Sequence, residues 1–504
     1  MPSPIADLLQ SAATRANLMF LREGVAPVLL EQRDFIARDT RGLEAQLHHI
    51  DVEITRLHAL REQVGAQLAF SCAMLAPVHR LPPELLAHIF IELASTYVDS
   101  WRTRIISSTV ARVSATWRAV AYSIPEIWTN VSLRSAAADD YPHIDACVSA
   151  SRTHPLHIYG EYASGPGALE SQLARLIPEA YRWKTLSLSK YYMSELPRAL
   201  ICDLPCLERA ILHPTLPPSH LDLGDPRMFD FLVAAPRLHH LDLIMDDVPW
   251  HYRLSLPAPC ALTTLSLKCY SCTIDTVLPL IRQSSSTLRH LSLVASTHCG
   301  ISADAEELIN MPRLESIDMA ECMYPILGRI HAPHVEKITG RCLLQQTLDT
   351  TRLTLLLGYL APRGESWIRN VPHLQLIDYH CQPPAASVPS ALRLLNLLRQ
   401  MDHLRVLYMD VSPGARATHT NFFPTEQFVD NMGMIDFLPN LVELSLRVHP
   451  SPGSQKVLED GLRLMLRRRA PPSGVEGRNV VALERFETNI ICDLPTKTVV
   501  IQVP

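Results

Sequence analysis

A chain in which Pro-x-Leu-x-x-Leu-x-Leu keeps returning has few folds open to it. The pattern stands at Pro236/Leu238/Leu241/Leu243, Pro312/Leu314/Ile317/Met319, Pro372/Leu374/Ile377/Tyr379 and Pro439/Leu441/Leu444/Leu446. Degenerate copies lie at Pro205/Leu207/Ala210/Leu212 and Pro333/Val335/Ile338. Copies without the proline lie at Leu262/Leu265/Leu267, Leu288/Leu291/Leu293, Leu404/Leu407/Met409 and Leu483/Phe486. In Leu-x-Leu the two leucines share one face of a strand and the residue between them faces away. The leucine three positions earlier fills the core where the chain turns into the strand.

Energetics forbid these units from folding singly. Three core side chains contribute roughly 1.5–3 kcal/mol each. Ordering about 25 residues at roughly 1.5 kcal/mol apiece costs far more. Successive copies start 21 to 42 residues apart, around the leucine-rich-repeat period. Helix-like segments intervene at Phe229–Ala234, Ile274–Arg282, Ala305–Asn310, Ala391–Met401 and Val457–Arg468. The expected fold is α/β: residues 129–504 form an irregular leucine-rich-repeat solenoid, with a parallel sheet on one side and helices on the other. Alternating pairs at Val131/Leu133, Leu156/Ile158 and Leu186/Leu188 read as its first strands. Uneven spacing predicts rim loops at His380–Pro389, Ser412–Glu426 and Ala470–Arg478.

Upstream the periodicity is helical. Residues 1–40 read as a poorly ordered leader with a short helix around Ile5–Leu21. Residues 41–75 read as an amphipathic helix, because Leu43, Leu47, Ile50, Ile54, Leu57, Val64 and Leu68 step by four and three with a gap at Arg61. A stripe that narrow needs cover, either from a second copy through residues 43–68 as a homodimer or from its own chain. Ala76-Pro77 ends the helix. Residues 76–128 then read as a bundle of three short helices. Pro82 and Pro83 open the first, and Leu85, Leu86, Ile89, Phe90 and Leu93 give it an apolar face. The second covers Ser100–Ile106, and the third Thr109–Tyr122.

Composition and motifs exclude much chemistry. Apolar residues make up 47% and charged residues 19%, enough for a large core, and a net charge of -5 gives no reason to expect nucleic acid. No run of 18 apolar residues supports a membrane span, and no basic, then apolar leader reads as a secretory signal. Twelve scattered cysteines fit reduced, buried thiols, so a cytoplasmic or nuclear location is expected. Phosphate-binding glycine loops, a nucleophile elbow and a His-Glu-x-x-His helix are all missing. Cys269-x-x-Cys272 has no second pair to complete a metal site. No catalytic residue, metal or cofactor is expected. Arg467-Arg468-Arg469 reads first as a charged helix C-terminus ahead of Pro471-Pro472, and second as a nuclear signal or phosphate patch.

The surface expected to bind is the outward row of the strands. It offers His240, Asp242 and Ile244; Thr264, Ser266 and Lys268; His290, Ser292 and Val294; and Ser316, Asp318 and Ala320. Further along come Leu376, Asp378 and His380; Val406, Tyr408 and Asp410; and Glu443, Ser445 and Arg447. A concave sheet carrying mixed polar and apolar groups suits a protein segment.

Leu81-Pro82-Pro83-Glu84-Leu85-Leu86, followed by Val113-Ser114-Ala115-Thr116-Trp117-Arg118 and Ile124-Pro125-Glu126-Ile127-Trp128, resembles an F-box. Ser114 stands where that family usually has cysteine, and Ala115-Thr116 where a basic pair is common. The succession of helix, F-box and irregular leucine-rich repeats is similar to the large F-box families of basidiomycete fungi. The resemblance implies docking onto the Skp adaptor of a cullin–RING ubiquitin ligase through Leu81, Pro82, Leu85, Leu86, Ile89, Val113, Trp117 and Arg118. It implies that the repeats hold a protein substrate for ubiquitin transfer. The alternative is a non-catalytic leucine-rich scaffold whose F-box-like helices only cap the solenoid.

Overall fold

The computed structural model describes residues 4–16, 30–97, 99–134, 141–161, 168–192, 202–215, 229–249, 254, 256–271, 274–295, 308–341, 367–377, 394–411, 426–434, 436–448, 455–469, 483–488 and 499–502. The expected rim loops at 380–389, 412–425 and 470–478 lie outside these residues. The chain divides into two compact units, Met1–Leu86 and Ala87–Pro504.

In the first unit, α1 (Pro4–Ala16) packs on α2 (Leu30–Leu75), a single helix of 46 residues. The helix therefore begins before the expected boundary at residue 41. No proline stands between Pro27 and Pro77, and Leu, Ala, Glu, Gln and Arg dominate, so nothing interrupts propagation. Glu53 and Arg56 form a forked pair along its surface, with Arg56 Nη2 2.6 Å from Glu53 Oε1. A 3₁₀ turn, Pro77–Arg80, closes it, and α3 (Pro83–Ser95), with Pro83 in its first turn, begins in this unit and continues into the second. The apolar stripe of α2 remains in solvent: Leu47, Leu57, Val64 and Leu68 are 48–63% exposed.

In the second unit, α4 (Asp99–Ser108) packs beside the first strand, and α5 (Ala115–Ser123) packs on the turns Val110–Arg112 and Pro125–Trp128 that flank it. The helix expected over 109–122 is split. Val110–Arg112 is a 3₁₀ turn, and Ser114 is extended, with its Oγ accepting from Trp117 N at 3.1 Å. That hydrogen bond is an N-cap, which starts α5 afresh at Ala115. Trp128 is fully buried, stacks on Tyr122 at 4.4 Å and donates through Nε1 to Ala121 O at 2.8 Å. Thr103, also buried, donates to the carbonyls of Ile127 and Asn130.

The rest of the unit is a long sheet with return segments. Its strands are β1 (Asn130–Arg134), β2 (Leu156–Glu161), β3 (Trp183–Tyr192), β4 (Arg209–Thr215), β5 (His240–Pro249), β6 (Thr264–Ser271) and β7 (His290–Ala295). A short side ladder pairs β8 (Ile309–Asn310) with β10 (Ile330–His331), outside the main sheet. The main sheet continues through β9 (Ser316–Ala320), β11 (Lys337–Arg341), β12 (His373–Ile377), β13 (Val406–Val411), β14 (Glu443–Val448), β15 (Arg485–Thr488) and β16 (Val499–Gln502). Each strand pairs with the next in chain order, and all thirteen from β1 to β15 are parallel. Among the described strands of this sheet only β16 runs antiparallel.

Register aligns the leucines into continuous core rows. Leu241, Leu265, Leu291 and Ile317 are successive Cα partners and each is at most 1% exposed. The return segments include α6 (Tyr141–Ser151), α7 (Ala168–Leu176), α8 (Ile274–Ser284), α9 (Glu426–Met432) and α10 (Gln455–Arg469). Others are single 3₁₀ turns, among them Asp230–Ala234, where a helix-like segment is expected. The expected helix at 305–310 ends instead in strand β8.

Side chains of four returns tie their repeat to an earlier one. Gln283 Nε2 donates to Leu256 O, Trp367 Nε1 to Ile330 O and Asn440 Nδ2 to Asp402 O, at 3.1, 3.0 and 2.7 Å. Arg182 reaches His154 O at 2.7 Å and Val148 O at 3.2 Å. Carbonyls that a short helix or turn cannot satisfy itself thereby find donors.

One repeat departs from the expected frame. In β12 it is Leu374 and Leu376 that are buried, at 0% and 2%, while Ile377 is half-buried on the other face. Val371, fully buried, takes the place given to Leu374. The correct triplet is thus Val371/Leu374/Leu376, three residues earlier than the proline-anchored reading.

Candidate functional site

Two surfaces carry the residues singled out in the sequence. On the helical module, Leu81 is half-buried, Pro82 is exposed, and Leu85 and Ile89, one turn apart on α3, are 49% and 46% exposed. Leu86 is buried at 2% and belongs to the core. Val113 is 47% exposed. Trp117 is half-buried, its ring 5.2 Å from Phe90 in a tilted contact, and Arg118 donates through Nε to Ala111 O at 2.9 Å. Six of the eight positions sort by exposure. Leu85, Ile89 and Val113 are exposed, whereas Leu86 is buried and Trp117 and Arg118 engage Phe90 and Ala111.

The second surface is the outward face of the sheet. Register lines its residues into rows across the strands. Arg209, His240, Thr264, His290, Ser316, Lys337 and His373 form one row. Asp242, Ser266, Ser292, Asp318, Thr339, Gln375, Tyr408, Ser445 and Glu487 form the next. The first row carries most of the cationic and imidazole groups, and every charge in the second is a carboxylate. Lys268, Arg341, Asp410 and Arg447 lie one step further along their strands.

Local pairing ties these rows together. Arg341 grips Asp318 with two nitrogens at 2.8–3.1 Å, and His290 Nδ1 lies 2.8 Å from Ser316 Oγ. At the far end Tyr408 donates to Asp410 Oδ2 at 3.2 Å, beneath the Arg447 guanidinium at 5.6 Å from its ring. Arg447 also pairs with Glu487 at 3.5 Å. Burial, then the Asp410 carboxylate, holds the Tyr408 phenol above its usual range, so it stays a donor. Burial and the neighbouring Arg209 push the His240 imidazole below its usual value, outweighing Asp242. Asp242 Oδ1 and Arg447 Nε are buried and accept or donate no hydrogen bond.

The frame shift at β12 changes this face. His373, Gln375 and Ile377 are its outward residues, and Leu376 is core. Asp378 and His380 lie outside the described residues. Val294 and Ala320 are buried at 8% and 0%, since the 3₁₀ helix Glu321–Arg329 packs on β7 and β9. Sequence reasoning missed Arg341 and Glu487, although the strand frame alone places both on this face.

Other candidates sort quickly. Cys269 is buried with its Sγ 3.7 Å from Val294 O, and Cys272 lies outside the described residues. Among the described residues no group of three His, Cys, Asp or Glu could hold a metal ion, and no helix is long and apolar enough to cross a membrane. The Arg467–Arg469 run does not form one patch. Arg469 is 4% exposed and donates to the carbonyls of Met432, Met434, Phe437 and Leu438. No protein-family model matches the chain, and no curated protein matches it.

Proposed function

We propose that this chain is the substrate-recognition subunit of a Skp–cullin–F-box ubiquitin ligase. In this reading residues 76–128 are an F-box that binds the Skp adaptor, and the leucine-rich repeats that follow hold a protein substrate on their outward sheet face. The observation that carries it is the Leu85/Ile89 pair. Two large aliphatic side chains, nearly half in solvent on a helix opened by Leu-Pro-Pro-Glu, are surplus to the fold. Such a pair suits an interface core. On the sheet face, the part-exposed Arg341–Asp318 and Arg447–Glu487 pairs offer charged groups to a bound polypeptide.

The test is a pulldown with purified Skp adaptor. Wild type should bind, and Leu85→Glu with Ile89→Glu should abolish binding while leaving the unfolding transition in place. Absence of wild-type binding, or undiminished binding by the double variant, would sink the proposal.

A second reading has its own observation. Thr103 and Trp128 join α4 and α5 to the chain entering β1, so these helices also cover that end of the sheet. A scaffold whose helices only cap the repeats would share this packing and lack adaptor binding.

A further inference from the structure

We infer that α2 pairs with the α2 of a second copy of this chain, antiparallel, to form a homodimer. Eight seam side chains of the heptad, from Ile36 to Leu75, are 39–70% exposed on a helix of 46 residues. Helices with a 3.5-residue apolar repeat bury it against another helix. Covering about half of each such side chain removes on the order of 50 Å². Sixteen of them in a pair, with flanking stems, approach the area of a specific interface, about 1,200 Å² or more.

What selects a second copy is that the seam complements its own reverse. Centred between Thr55 and Arg56, the antiparallel pairing sets Ile54 on Leu57 and meets the polar Thr40 with Ser71. It also brings Asp51 of each copy beside His58 of the other. The one mismatch is Arg61 against Ile50, where a long stem can lie on the seam with its charge in water. A parallel pair would instead set Arg61 on Arg61 inside the seam, like charge on like. A self-complementary patch generates a closed two-fold dimer. The apolar Val52, 55% exposed, lies off the seam and supplies a control.

Sedimentation equilibrium of the full chain should give twice the 56.4 kDa chain mass. Ile54→Glu with Leu57→Glu should give the monomer with helical content retained, and Val52→Glu should leave the dimer intact. Arg61→Leu should tighten self-association by about tenfold. Spin labels at residue 48 settle direction: the antiparallel register separates the two backbones by roughly 22 Å along the axis, a parallel one by about one helix diameter. A wild-type monomer, a dimer that survives the seam double variant, or the short label distance would each overturn the inference.

Discussion

Arg469 shows how far a residue's role can depart from its neighbourhood in sequence. It ends a run of three arginines, yet its guanidinium is buried against four backbone carbonyls at and just beyond the end of α9. Burial lowers its pKa to about 10, still well above neutrality, so it remains charged there. Hydrogen bonds to a charged group contribute about 1.5–3 kcal/mol each and do not add simply. Arg469→Ala should therefore lower unfolding free energy by at least ~3 kcal/mol, and Arg469→Lys should not restore it, since an ammonium lacks the planar fork. The exposed Arg467 and Arg468 should each tolerate alanine within about 0.5 kcal/mol. Urea midpoints for the four variants decide this; equal costs at all three positions would return Arg469 to the surface. Arg182 has the same job at the end of α6, which makes buried arginine a recurring device of the returns.

For the elements, the strand of the β12 repeat is the sharpest case. Burial assigns Leu376 to the core and Gln375 to the outward face. Leu376→Asp should abolish or severely lower cooperative unfolding, on the order of 3 kcal/mol or more, whereas Gln375→Asp should be nearly neutral. Circular dichroism melts of the two variants separate the frames, and the reverse ranking would restore the proline-anchored one. The sheet itself was legible, because Leu-x-Leu reports strand and face together. The frame at 371–377 was misread because Pro372 seemed to announce it, while Leu374-Gln375-Leu376 already displayed the alternation. The seam of α2 was legible for the same reason, but its start was not, since heptads fade before helix propensity does. The 3₁₀ returns escaped because one turn has no period to detect. On the binding surfaces, sequence named Leu85 and Ile89 but could not separate them from Leu86. One residue along a helix reverses burial, and only the packed structure decides which side is inside.

At the level of the whole molecule, α4 and α5 matter to the repeats regardless of any adaptor. Thr103 satisfies carbonyls at the entry to β1, and the Val120, Ile127 and Trp128 side chains are buried beside it. Deleting residues 76–128 should lower the thermal midpoint of the repeats and promote association. An unchanged midpoint would show that the cap is dispensable.

At the other end of the described sheet the strand direction reverses. Strand β16 turns back antiparallel on β15, pairing Phe486 with Ile501. Parallel neighbours present evenly spaced, slanted hydrogen bonds, while antiparallel ones alternate narrow and wide spacings. Among the described residues the sheet thus presents a mixed edge, and a strand added to β16 in the direction of the repeats would pair antiparallel, with alternating rather than evenly spaced hydrogen bonds.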